Sequence, residues 1–268
     1  MSFTDTHVIL EKLALSKRKK RQGLNAVRLA EQGRIPVNVS YTNPRVTYDG
    51  INWWISVGIE ADNNPQPATN PGIGIDVGVK ELAVTNEGKV YRNINKDKKV
   101  RKLKKRQRRL QRKISRKYEN NKKGESYQKT RNIIKSERKL LKLNHRLNGI
   151  RQNHVHQATS EITKQKPRFI VMEDLNIKGM MKNKHLSKAI QEQGLYEFHR
   201  QIAYKSNWNG ITHIETSRYY PSSKTCSVCG LIKTDLKLSD RIYRCECGNV
   251  IDRDLNAAIN LKAYVNIA

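Results

Sequence analysis

The chain of 268 residues has few acidic residues, few cysteines and no long apolar run, and each shortage excludes something. Its 24 Asp and Glu residues stand against 53 Lys and Arg residues, which gives a net charge of +29. So large an excess is costly through self-repulsion unless a polyanion neutralises it, so nucleic acid is the expected partner. No apolar stretch approaches the roughly 18 residues that suggest a membrane-spanning helix, and the N-terminus lacks a signal-peptide layout. We therefore expect a cytoplasmic protein with no membrane partner.

The four cysteines form two close pairs near the C-terminus. Cys226 and Cys229 belong to a CxxCG motif, and Cys245 and Cys247 to a CxCG motif that begins sixteen residues after Cys229. Thiolates at this spacing can supply a closed tetrahedral zinc site. Without export, paired cysteines favour metal over disulfides. The sequence predicts a zinc ribbon over residues 219–250.

The first quarter of the chain predicts three short segments. A loose apolar stripe over residues 8–32 indicates a basic helical segment within residues 1–33. Alternating apolar residues from Ile35 onward, with an Asp-Gly turn before the last run, indicate a small antiparallel β element over residues 34–60. The proline-rich stretch at residues 61–72 is predicted to be a linker.

Strands and helices alternate beyond this linker, which suggests an α/β fold. Apolar runs predict buried strands around Asp76 and Glu173, two shorter strands after the first, and another strand at Thr212–Ser217. A mainly polar helical stretch is expected over roughly residues 186–206. The last segment, residues 251–268, is expected to close as a helix.

A basic helical hairpin is predicted over residues 96–150. Residues 96–117 hold fourteen Lys and Arg against one acid, and two apolar series recur at spacings of three and four. A solvated helix face is the simplest alternative for such a run, but like charges repel on one surface when no polyanion is present. We therefore expect nucleic-acid contacts from Lys104, Lys105, Arg108, Arg109, Arg112 and Arg116.

Three carboxylates interrupt apolar segments. Asp76 lies inside the first buried strand, Glu173 ends the second, and Asp254 opens the final helix. An unpartnered carboxylate out of water costs several kcal/mol, so each should be paired with an arginine or bound to metal. If the two strands are neighbours, the three acids can converge and suit Mg²⁺, or Mn²⁺. Two such ions would activate water and stabilise the leaving oxygen of a phosphodiester.

Four motifs occur in order along the chain. They are GIDVG around Asp76, VMEDLN around Glu173, SSKTCSVCG around Cys226, and CGNVIDRDLNAAIN around Asp254. Together they resemble the TnpB proteins of bacterial insertion sequences, which are RNA-guided DNA endonucleases related to type V CRISPR effectors. The resemblance covers about residues 34–268.

This resemblance implies an RNase H-like RuvC nuclease core, at residues 73–218 and 251–268, with the hairpin and the zinc ribbon inserted. Asp76, Glu173 and Asp254 would be the catalytic acids and magnesium ligands, and the ribbon zinc would be structural. Asp252 is expected to be a helix cap, or else a further ligand.

The partners implied are a guide RNA from the transposon and a target DNA, in a bacterial cytoplasm beside the nucleoid. The second cysteine knuckle departs from the family's CxxC pattern without losing a ligand. Family members usually carry a longer N-terminal region, so the targeting apparatus is expected to be curtailed. The alternative function is a truncated transposon product that binds nucleic acid without cleaving it. A ribosomal-type RNA-binding protein and a strand-transferring transposase are the other interpretations.

Overall fold

The computed structural model describes residues 1–10, 26–60, 65, 67–237 and 239–266. The chain divides into two compact units, Met1–Asp62 and Asn63–Ala268. The boundary falls within the proline-rich stretch that the sequence marks as a linker.

Three short antiparallel strands open the first unit: β1 (Ser2–Phe3), β2 (His7–Ile9) and β3 (Ala26–Arg28). The helix predicted over residues 8–32 is therefore wrong for residues 8–10 and 26–32, and residues 11–25 lie outside the described residues. Val8 is buried and pairs with Val27 across the ladder. Pairing of β-branched side chains in strands overrides the loose helical periodicity here.

A two-stranded hairpin follows, made of β4 (Tyr41–Tyr48) and β5 (Trp53–Ile59). The turn predicted at Asp49-Gly50 is confirmed. The Asp49 carboxylate accepts the backbone N–H groups of the two residues before β5, and Gly50 adopts a φ of 89°, which favours glycine.

The strand predicted from Ile35 is wrong before residue 41. Pro36 has no N–H to donate to a ladder, and Asn38 adopts a φ of 63° in the left-handed region. Both features interrupt the extended pairing that the alternating apolar residues predict.

A five-stranded mixed sheet forms the centre of the second unit, in the order β12-β11-β6-β7-β8. The central pair, β6 and β11, is parallel, as is the pair of β11 and β12, whereas β7 and β8 run antiparallel to their neighbours. The predicted strands of this region are confirmed as β6 (Ile73–Val77), β7 (Ala83–Thr85), β8 (Val90–Tyr91), β11 (Phe169–Glu173) and β12 (Thr212–Thr216).

Six helices accompany the sheet and its additions. They are α1 (Lys98–Glu119), α2 (Arg131–Lys164), α3 (Ile177–Met181), α4 (Ser187–Gln193), α5 (Leu195–Trp208) and α6 (Arg253–Ala263). Short 3₁₀ turns lie at Ile94–Lys96 and Tyr264–Asn266. The main core joins β6, β7 and β11 to α2 and α5 through apolar side chains such as Ile75, Ile162, Met172 and Phe198.

Helices α1 and α2 pack side by side and are joined by a minimal hairpin of β9 (Lys122–Lys123) and β10 (Ser126–Tyr127). Val100, Leu103, Leu143 and Leu147 form a small core between them, at positions that the apolar series predicts. Helix α2 runs fourteen residues past position 150, and its last turns bury Val155, Ala158 and Ile162 in the main core. One continuous helix therefore belongs to both the hairpin and the sheet domain.

The CxxC motif precedes β13 (Ile242–Arg244), and the CxC motif lies between β13 and β14 (Val250–Asp252). The two strands are antiparallel, and β14 leads directly into α6. No helix in the described part of the chain combines the length and the apolar character that crossing a membrane would need.

Candidate active site and metal centre

Two neighbouring parallel strands carry the first two acids to the same point. In the register of β6 and β11, Ile75 is opposite Met172, so the next residue on each strand is Asp76 and Glu173. Side chains at matching positions of a ladder point to the same face of the sheet. The predicted convergence of these two acids is thereby explained by the strand register.

Helix α6 brings Asp254 to this face, because α6 crosses β6 at very close range. A Cβ atom built on Gly74 would lie 2.1 Å from the Ala258 carbonyl oxygen and 2.4 Å from the Lys262 amide nitrogen. Only a residue without a side chain permits that approach. Asp252 acts as the helix cap, since its carboxylate accepts the N–H groups of Asp254 and Leu255 at 2.9 and 3.2 Å.

The acids line an open cleft of about 510 Å³ that also contains positive charge. Asp76, Glu173 and Asp254 all contribute to its wall. Three cationic side chains that the sequence analysis did not assign to the site contribute too: Lys80, Arg241 and Arg253. Two serines, Ser222 and Ser223, complete its polar lining.

Burial and crowding of like charges perturb the acids. Burial, followed by the nearby Asp254 and Glu173 carboxylates, raises the pKa of Asp76 to about 7, although Arg253 offsets part of the effect. The pKa of Glu173 is raised as well, by burial and then by Asp174. A buried, acid-crowded carboxylate with a raised pKa is a common feature of functional sites.

The four cysteines form a tight cluster whose Sγ atoms all lie within 4.8 Å of one another. Cys226 and Cys247 are 3.7 Å apart at Sγ, and Cys229 and Cys245 are 3.6 Å apart. A zinc ion with four sulfur ligands at about 2.3 Å would hold them roughly 3.8 Å apart. The cluster could therefore bind a metal such as zinc, and the shorter CxC motif still brings both of its sulfur atoms to the site. Within the described residues it is the only such group of His, Cys, Asp and Glu.

Local backbone and hydrogen bonds shape the two knuckles. Gly230 and Gly248 follow the two motifs with φ values of 75° and 91°, and each donates its N–H to a cysteine carbonyl. Burial raises the pKa of Cys226, but backbone N–H groups and the Asn249 side chain outweigh it and bring that pKa to about 6. The pKa values of Cys245 and Cys247 are raised instead: backbone N–H groups lower them, but hydrogen bonds among the thiols and burial outweigh this effect. The four thiols therefore titrate as one coupled cluster.

Two asparagines of α6 attach the ribbon to the acid-bearing helix. Asn256 donates to the Thr225 carbonyl at 2.7 Å and accepts the Ser227 N–H at 3.0 Å. Asn260 donates to the carbonyls of Ser222 and Thr225 at 2.8 and 2.7 Å. Both asparagines are buried, so the LNAAIN motif connects the cysteine site to Asp254. The sequence analysis used this motif only to support the family resemblance. Two asparagines four residues apart among apolar residues of one helix could have indicated a buried contact with another segment.

The six cations selected on α1 do not share one environment. Lys105, Arg108, Arg109, Arg112 and Arg116 are exposed. Lys104 instead forms an ion pair with Glu192 of α4, and both side chains are largely buried. A basic groove that the sequence analysis missed lies between α1 and α2. It includes Arg106, Lys113, Lys139, Lys142 and Arg146. The helical spacing of Lys139, Lys142 and Arg146 on α2 was the signal for it.

Comparisons with known proteins agree with this architecture. The family described as "Probable transposase" (OrfB_IS605) matches residues 54–184, and the family described as "Cas12f1-like, TNB domain" matches residues 196–261. A solved structure, "Cryo-EM structure of CRISPR-Cas12f Ternary Complex", matches with a TM-score of 0.54 at 22% identity, over 78% of this chain and 42% of that one. At that identity the match shows the fold: a mixed α/β arrangement like that of Cas12f.

Two curated relatives extend the match over most of the chain. The "Putative RNA-guided DNA endonuclease" of Streptomyces pristinaespiralis is 30% identical over 94% of this chain and 58% of its own length. The "Putative RNA-guided DNA endonuclease InsQ" of Escherichia coli K12 is 31% identical over 79% of this chain and 53% of its own length. The chain thus spans somewhat more than half the length of these relatives.

The class of protein is therefore that of insertion-sequence transposase-related proteins with a Cas12f-like fold. Within that class, the chain belongs to the TnpB family, as the order of its motifs suggested.

The cysteine cluster predicts a specific loss of zinc. Cys226→Ser should reduce bound zinc from about one ion per chain to near zero, because structural sites need all four ligands. Elemental analysis after gel filtration measures this. Ser227→Ala, a substitution beside the ligand, is the control and should retain zinc. Zinc retained at full stoichiometry by Cys226→Ser would show that the cluster does not hold the ion.

The raised pKa of Asp76 predicts a pH-dependent stability. Asp76 binds its proton more tightly in the folded chain than in the unfolded one, so its stabilising contribution is present at low pH and is lost as pH rises to about 7. Asp76→Asn should therefore be more stable than the wild type at pH 8 by a few kcal/mol, and similar to it near pH 4. Urea denaturation without added magnesium or manganese measures the difference.

The control is Glu125→Gln, which changes an exposed carboxyl group. It should alter stability little at either pH. An Asp76→Asn protein no more stable than the wild type at pH 8 would mean that the cleft already neutralises Asp76.

Proposed function

We propose that the chain is a metal-dependent, RNA-guided DNA endonuclease of an insertion sequence, with an RNase H-like RuvC core and Asp76, Glu173 and Asp254 as its catalytic acids. The observation that carries the proposal is the convergence of these three acids on one cleft, where burial and crowding raise the pKa of Asp76 to about 7. Family membership and the relatives' names support the nuclease activity.

The donor set fits a hard divalent cation. Carboxylate oxygens are the ligands that Mg²⁺ and Mn²⁺ prefer. Arg253 offsets only part of the rise in the pKa of Asp76, and such an ion would supply the remaining positive charge. The three acids line one cleft, and we assign them to two ions of this kind. Bound magnesium would supply a nucleophilic water and stabilise the leaving oxygen of a phosphodiester.

The remaining cleft residues suit the substrate's charge. Lys80 and Arg241 face the cleft and would attract the phosphodiester that the acids alone would repel. Arg253 lies near enough to lower the pKa of Asp76, and would help keep that carboxylate ionised. The ribbon, with a structural zinc, would hold Arg241 and Ser223 beside Asp254 through the two α6 asparagines.

Nucleic acid would lie along the basic hairpin. The hairpin has many exposed cations that could contact phosphates, and few acidic side chains lie among them. On α1 these are Lys105, Arg108, Arg109, Arg112 and Arg116, and the groove between the helices adds Lys139 and Lys142. In this kind of enzyme the protein recognises the shape and backbone of a heteroduplex, and base pairing supplies the sequence. The partners proposed are a guide RNA from the transposon and a matching target DNA.

The hairpin proposal predicts a weaker salt dependence when its charges are removed. The triple change Arg108→Gln, Arg109→Gln and Arg112→Gln should weaken binding to an RNA–DNA heteroduplex. The slope of log K against log salt concentration should fall by about 1 for each phosphate that the protein no longer neutralises, hence up to about 3.

Fluorescence anisotropy at four salt concentrations measures this slope. Lys98→Gln, Lys99→Gln and Lys102→Gln, which remove the same charge nearer the start of α1, form the matched control. Equal effects of both triples would mean that net charge alone drives binding, and an unchanged slope would make the face merely solvated.

The deciding experiment is magnesium-dependent cleavage. The purified protein, with its co-purifying RNA, should cut DNA that matches this RNA, and Asp76→Ala should lower the rate by at least about a thousandfold while leaving RNA binding intact. Asp235→Ala, outside the cleft, should cut normally. RNA binding without any cleavage by the wild type would favour the alternative, a non-cleaving transposon-derived binding protein.

A further inference from the structure

The loop that follows Asp76 is held from outside by side chains. This loop, residues 78–81, lines the cleft immediately after β6. Three consecutive backbone carbonyls in it each accept a side-chain hydrogen bond. Gly78 accepts from Gln193 at 3.4 Å, Val79 from the Asn93 amide at 2.8 Å, and Lys80 from the Lys96 ammonium.

Residues 93–96, which supply two of these donors, also bind the side chain at the end of the loop. Glu81 accepts the backbone N–H of Asn93 at 3.0 Å and pairs with Lys96 at 3.1 Å. Residues 93–96 lie just before Asp97, the N-cap of α1, so we call them the hairpin root. Every residue of the loop therefore has a polar contact with the hairpin root or with α4.

The hairpin root is itself fixed to both helices of the hairpin. Asn95 donates to the Glu192 carbonyl at 2.9 Å and accepts from Arg151 of α2, also at 2.9 Å. The Glu192 carboxylate pairs with Arg151 and with Lys104 of α1. These three charged side chains are about one-fifth exposed, which strengthens their attraction relative to a surface pair.

We propose that the hairpin root positions the cleft loop for the reaction, with Asn93 as the principal positioning residue. The loop has only one backbone hydrogen bond that spans it, from the Gly78 N–H to the Leu82 carbonyl. Its three carbonyls have no strand partner, so the root determines where the chain after Asp76, including Lys80, lies in the cleft. The hairpin thereby acts on the cleft as well as on nucleic acid. The catalytic part of this inference rests on the proposed function; the structural part does not.

Asn93 allows two of its contacts to be separated. Its side-chain oxygen accepts the Asn95 N–H at 2.9 Å, as a cap of the 3₁₀ turn, while its amide donates to Val79. Asn93→Ala removes both contacts. Asn93→Ser retains a short acceptor for the cap but cannot reach Val79. A positioning role predicts that both variants behave alike, whereas a capping role predicts that Asn93→Ser behaves as the wild type.

Hydrogen exchange on the free protein is the first test. The amides of Gly78 and Leu82 are the ones at this loop with backbone acceptors. Without the hydrogen bond to Val79, both should exchange about five- to tenfold faster in the two variants, while the amides of β11 stay unchanged. Asn121→Ala is the matched control, since Asn121 also donates its side-chain amide to a backbone carbonyl, at the far end of the hairpin. Unchanged exchange in Asn93→Ala, or wild-type exchange in Asn93→Ser, overturns the proposal.

The second test is single-turnover cleavage beside heteroduplex affinity. Both Asn93 variants should cut about tenfold more slowly at saturating nucleic acid, with affinity changed less than twofold and zinc retained. A defect that appears only in affinity would contradict positioning. If the wild type does not cleave, the proposed endonuclease fails, while the exchange result still decides whether the root holds the loop.

Discussion

The approach of α6 to β6 at Gly74 is the constraint on which the rest of the second unit depends. A side chain at that position would collide with the backbone of α6 at two points, both below 2.5 Å. Because the contact is between backbones, it fixes the height and the direction of the helix relative to the strand. Asp254, in the first turn of α6, is thereby set near Asp76, and the two asparagines further along the helix hold the ribbon. One missing Cβ thus relates the carboxylate cleft to the cysteine cluster.

The cleft collects several acidic side chains in an otherwise basic protein, and their crowding raises the pKa of Asp76. Much of the chain's positive charge is exposed on α1 and α2, where water screens it, while burial and the neighbouring acids keep the pKa of Asp76 near 7. Arg253 lowers that pKa only in part. A divalent cation is the ligand that would relieve the remaining repulsion, and a phosphodiester would be attracted by the cations around the rim. Under the proposed function, the acids would hold the metal and the cations would hold the substrate.

The sequence allows the acids, the cysteines and the sheet strands to be predicted because each breaks or repeats a local pattern. Asp76 and Glu173 interrupt apolar runs, and two such runs in a parallel sheet bring their ends together. Lys80 and Arg241 could not be found in this way, since they are two among 53 basic residues and only the tertiary fold selects them. Arg253 stands beside Asp254 in a quoted motif, but no local pattern indicates that it acts on Asp76. The N-terminal helix prediction failed for a related reason: periodicity over residues 8–32 was weak, and the pairing of Val8 with Val27 depends on residues distant in sequence.

Lys104 shows why charge counting alone cannot assign a function to the hairpin. It belongs to the same basic run as Arg108 and Arg112, yet its ammonium is paired with Glu192 inside the junction of α1, α2 and α4. Neutralising an exposed arginine weakens the attraction to a polyanion. Neutralising Lys104 would remove one of the two ion-pair partners that the largely buried Glu192 has among the described residues, and Arg151 would remain. The first change acts on binding, and the second acts on the structure that carries the cleft loop. Helix α2 runs through the hairpin and the sheet domain without a break. A displacement of the hairpin would therefore be transmitted to the cleft through one continuous, hydrogen-bonded helix.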